Sequence, residues 1–75
     1  MDIWLATLND YDGKSIVGVY SSTPLALKGV IDYLVAEDDI KYPELFNKQE
    51  SDDLLTYDIM KSTSRVVIRK MKLDK

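Results

Sequence analysis

The sequence predicts an α+β fold: a four-stranded, mainly antiparallel sheet with one principal helix packed on one face, ordered ββα-ββ, as a single domain over residues 1–75. Three observations predict it. Two β-forming runs flank Asp12-Gly13 near the start of the chain. Thr23-Pro24 then opens a stretch whose apolar residues recur at helical spacing. Two further β-forming runs flank Ser62-Thr63-Ser64.

The elements follow in order. Ile3, Leu5 and Thr7 alternate with Trp4, Ala6 and Leu8, a strand pattern rich in β-formers. Residues 9–14 are a polar loop in which Gly13 can take a positive φ. Ser15 to Ser21, centred on Ile-Val-Gly-Val-Tyr, is the second strand of a hairpin whose loop should hold about four to six residues. Thr23 suits an N-cap, since its hydroxyl can accept an orphan N–H of the first turn. Pro24 has φ preset for a helix start. The helix should run to about Ala36, with Leu27, Val30, Ile31, Leu34 and Val35 as its apolar stripe. Lys28 and Asp32 form an i,i+4 pair on the other side. Glu37-Asp38-Asp39 oppose the negative end of the helix dipole, so the helix should stop before them. Residues 37–53 read as a long acidic connection, with one short helical turn over Tyr42–Phe46. Leu54–Met60 and Arg65–Leu73 are the third and fourth strands.

Composition excludes more than it specifies. A chain of 75 residues buries only about 60% of its extended surface. It has no Cys and no His, so disulfides are impossible and the usual zinc and copper ligands are missing. No metal and no cofactor are expected. Self-association, as a homodimer, or partner binding gains weight as a source of stability. Met1 is followed by acidic Asp2, so no secretory leader is expected, and the longest uncharged run, Ser15–Leu27, is too short to span a bilayer. An intracellular protein without membrane attachment is expected. The net charge of −3 hides a polarity. Residues 32–53 hold eight acids and two lysines; residues 61–75 hold six bases and one acid. Such asymmetry can orient a partner.

Short motifs fail on spacing. Gly13-Lys14-Ser15 echoes a phosphate loop, but that motif's first glycine would fall at Leu8, and the segment leads into a strand. Asp10-x-Asp12-Gly13 echoes a calcium loop, yet the third ligand position is Lys14. The acids from Glu37 to Asp53 read as a solvated loop. Arg65, Arg69, Lys70 and Lys72 are the residues a nucleic-acid binder would use. Arg65 and Arg69 share one face of a strand, Lys70 and Lys72 the other, and no aromatic follows Tyr57. Nucleic acid is therefore the weaker reading. Without His or Cys no standard activated nucleophile can be built, so no enzyme is expected.

One consequence concerns layers. The first two strands are apolar on both faces, and a single helix covers one. The second face needs cover from the Tyr42–Phe46 segment, a second subunit or a partner. Trp4, Tyr11, Tyr42 and Phe46, with Asp38 and Asp39 of the acidic loop, are the candidate partner-binding residues.

The string Ile16-Val17-Gly18-Val19-Tyr20-Ser21-Ser22, running straight into a helix, resembles a group of small uncharacterised proteins encoded by bacteriophages. Those typically carry a hydrophobic-x-Gly-Val-aromatic-Ser-Ser string and often close on a strand ending in Leu-Asp, here Met71-Lys72-Leu73-Asp74. The likeness covers residues 2–35 and about 66–74. The helix departs from the group's Glu/Lys-rich pattern, being Leu-Ala-Leu-Lys-Gly-Val-Ile, and residues 36–62 match nothing in it. The group has no common activity to carry over. The resemblance implies a small phage product in the host cytoplasm that binds and modulates or inhibits a host bacterial protein.

Overall fold

The computed structural model describes residues 2–72. The elements are β1 (Asp2–Asp10), β2 (Gly13–Tyr20), α1 (Thr23–Glu37), β3 (Leu45–Glu50), β4 (Leu54–Ile59) and β5 (Arg65–Lys72). All strands are antiparallel to their neighbours, in the order β2-β1-β5-β4-β3. The α+β class therefore holds, with five strands rather than four. The additional strand is β3, which occupies the segment read as a helical turn and loop. It pairs with β4 through Leu45↔Ile59 and Phe46↔Asp58, then breaks register before Gln49↔Thr56. Asn47, at φ 57°, makes the break, so no regular alternation marks this strand in the sequence.

The first hairpin is tighter than expected. Asp10 pairs with Gly13, leaving Tyr11 and Asp12 as a two-residue turn. Gly13 takes φ 123°, and the Asp12 N–H donates to Asp10 Oδ1 at 2.9 Å.

A bulge then redistributes the faces of β2. Ala6 pairs with Gly18 but Thr7 pairs with Ile16, so Val17 is an extra residue. Gly18 and Tyr20 consequently share one face, while Ile16 and Val19 share the other.

The N-cap of α1 is Ser22 rather than Thr23. Its Oγ accepts the Leu25 N–H at 3.4 Å, and Pro24 sits in the first turn. The helix includes Glu37 and is capped at Asp38, one residue later than expected. Its buried face is Ala26, Val30 and Leu34, whereas Ile31 and Val35 are exposed. The stripe is rotated toward a smaller residue because α1 packs over β1 and β2, with slight contact to β5. Lys28 and Asp32 form no ion pair with each other.

The core lies between α1 and one sheet face. Ala6, Leu8, Leu55, Ile59, Val66 and Ile68 meet Ala26, Val30 and Leu34 there. Each large aliphatic side chain among them contributes about 1.5–3 kcal/mol of burial. Leu73 and Asp74 of the expected last strand lie outside the described residues. Among the described residues no helix is long and apolar enough to cross a membrane.

Candidate functional site

Strand register decides which side chains share the second sheet face. Ala6 and Leu8 point to the helix, so Ile3, Leu5, Thr7 and Asn9 point away from it. Across the ladders they meet Val67, Arg69 and Met71 on β5 and Ile16 and Val19 on β2. On the other side this open face continues through Leu54, Thr56 and Asp58 of β4 to Phe46 and Gln49 of β3. Among the described residues no second layer lies on it. Ile16 is 68% exposed and Val19 55%, and Phe46 and Met71 are also exposed. The Tyr42–Phe46 segment does not cover this face: from Leu45 onward it extends the sheet within its own plane.

The charges on the open face are mainly positive. Arg65 is held by Asp58 through Nε and Oδ1 at 3.3 Å, and Asp58 Oδ2 also accepts from Asn47 Nδ2 at 2.8 Å. Lys14 and Arg69 make no ion pair among the described residues. Lys70 and Lys72 sit on the helix side. Lys70 is engaged there by Asp2 at 3.3 Å, with its Nζ 5.9 Å from the centre of the Trp4 ring. The four basic residues of the last strand therefore do not form one platform.

The candidate anchors fall into three places. Tyr11, 91% exposed, and Tyr42, 87% exposed, lie at the same end of the sheet, as the pairings Asn9↔Arg65, Asp58↔Arg65 and Phe46↔Asp58 require. Helix α1 runs back to this end, so Asp38 and Asp39 join them. A cavity of about 480 Å³ opens here between Ile40, Tyr42 and Met60. Phe46 belongs to the open face. Trp4 is separate: it pairs with Tyr20 toward the opposite end and packs half-buried against the core.

Ile16, Val19, Met71 and Lys14 were not singled out from the sequence. The bulge at Val17 conceals the pairing of Ile16 with Val19, because period two assigns them to opposite faces. Among the described residues no three acidic side chains converge closely enough to hold a metal ion. No protein-family model, no curated protein and no solved structure matches this chain.

Proposed function

We propose that this chain is a stoichiometric binder of a protein partner, and that its open sheet face is the contact surface. In the setting the bacteriophage resemblance implies, the partner is a host bacterial protein in the host cytoplasm, which the chain modulates or inhibits. The observation that carries the reading is the open face itself. Ile16, Val19, Phe46 and Met71 stand exposed on one side of a sheet whose other side holds the whole core. Val19, Leu5, Ile3 and Met71 adjoin across the ladders, with Phe46 apart beyond the Asp58–Arg65 pair, and exposed apolar surface of this kind marks interaction sites. Arg69, on the central strand β5, and Lys14, at the hairpin end, have no carboxylate partner among the described residues, which favours an acidic protein surface. Tyr11, at the tip of the first hairpin, extends the surface at one end.

The test is affinity capture from a bacterial lysate at low and high salt, with bound protein and nucleic acid both identified. The wild-type chain is expected to retain one protein at near-equal stoichiometry at both salts. Met71→Glu and Arg69→Glu should each lose it while keeping the folded signal. Retention by both variants overturns the open face as the surface. Nucleic acid that washes away with salt would replace a protein partner by a nucleic-acid one.

A further inference from the structure

The two edges of the sheet are not equivalent. β3 is guarded: Asn47 breaks its register at φ 57°, and Lys48 and Glu50 charge it. Such devices keep an edge from pairing with another chain. β2 is a longer edge, and no charge follows Lys14 until Lys28. Among the described residues, no turn, loop or cap hydrogen bond reaches its outer side.

A groove of about 490 Å³ runs beside this edge, between β2 and the flank of α1. Val17, Tyr20, Leu25, Tyr33 and Ala36 line it, and Lys28 and Asp32 rim it. We propose that two copies of this chain pair antiparallel through their β2 edges across a two-fold axis. The product is one continuous sheet, five strands from each copy, with the two α1 helices side by side over the groove.

Three features commit the groove to a second copy. The first is spacing. Paired strands lie about 4.8 Å apart, and α1 sits over β1 and β2. The two helix axes then fall roughly 10–14 Å apart, the lower end of which meets the 8–10 Å at which helices pack. The second is level. β2 spans roughly 26 Å and α1 roughly 22 Å, running antiparallel from neighbouring ends, so an axis through the middle of β2 passes the middle of α1 near Val30. The third is charge. An axis at that level sets Lys28 of one copy against Asp32 of the other, twice by symmetry. Neither residue has an ion partner within its own chain among the described residues. Antiparallel pairing about that axis also carries Lys14 to the far end of the other β2, opposite Val19, where no like charge meets it.

The pairing goes beyond the partner-binding reading and is independent of it, since it uses the edge and groove and leaves the open face free. Sedimentation equilibrium from about 1 mM to about 1 μM covers the range in which a moderate dimer dissociates. A monomer–dimer equilibrium is expected within it. Lys28→Glu and Asp32→Lys, both on the exposed helix flank, should each raise the dissociation constant about tenfold, by replacing two attractions with two repulsions. The double reversal should restore it to within about threefold. Amide exchange should show β2 protected in the concentrated protein and released on dilution. Arg69→Glu and Met71→Glu should leave the equilibrium unchanged even where capture of a partner is lost. A chain monomeric at the highest concentration overturns the pairing. So does a dimer indifferent to both single reversals, or one whose β2 amides exchange as freely as in the monomer.

Discussion

Gly29 sits in the middle of α1, where a methyl group would meet the Tyr20 ring. Tyr20 also lies over Gly18, so its ring fills the space that two glycines leave between strand and helix. Helix propensity alone favours alanine at position 29 by about 1 kcal/mol. Overpacking should reverse the sign, and Gly29→Ala is expected to destabilise by about 1–3 kcal/mol in denaturant titration. In a Tyr20→Ala background the same change should become stabilising by about 0.5–1 kcal/mol, a coupling that a double-mutant cycle reads directly. Lys61 offers the opposite case. It holds φ 61° in the β4–β5 turn, a conformation that costs a lysine roughly 1 kcal/mol or more. Lys61→Gly should therefore raise stability by about 0.5–1 kcal/mol, seen as a higher denaturation midpoint at unchanged slope.

Among the elements, those with strong local signals were legible in the sequence. β1, β4 and β5 are runs rich in β-formers bounded by turn residues, and Ser22-Thr23-Pro24 announces α1 to within one residue. β3 was not legible, because Asn47 interrupts its pairing and most of its side chains face solvent, leaving no apolar alternation. The buried stripe of α1 was half legible: Val30 and Leu34 were recognised, but Ala26 was passed over because the close approach of helix to strand is a tertiary fact. Tyr11 and Tyr42 are exposed, as a turn position and an acidic connection lead one to expect, yet the make-up of the open face depends on a bulge that no spacing rule reveals. Asn47 itself gives a check on the guarded edge. Asn47→Val places a β-branched residue at positive φ and should cost about 1–2 kcal/mol in thermal or chemical unfolding. Asn47→Gly, which removes the side-chain bond to Asp58 but tolerates the dihedral, should cost less than half as much.

For the whole molecule, a single helix over a five-stranded sheet leaves one core on one side. Ile68, fully buried at the centre of that core, should be indispensable. Ile68→Ala is expected to cost about 2–5 kcal/mol, enough to unfold a large fraction of so small a domain at room temperature, which circular dichroism would register. The topology has another consequence, in the order of assembly. β1 and β5, the first and last strands, lie side by side at the centre of the sheet, with Asp2 opposite Lys72. Hairpins β1–β2 and β4–β5 can form locally, but each alone presents a half-sheet whose inner strand lacks its neighbour. The rate-limiting event should then be the joining of two preformed hairpins across a long chain separation, and folding should be slow for the length of the chain. During synthesis on a ribosome the β1–β2 half waits, with its β5-facing edge bare, until the final strand emerges. For that interval the nascent chain is most exposed to proteases and to pairing with the wrong strand.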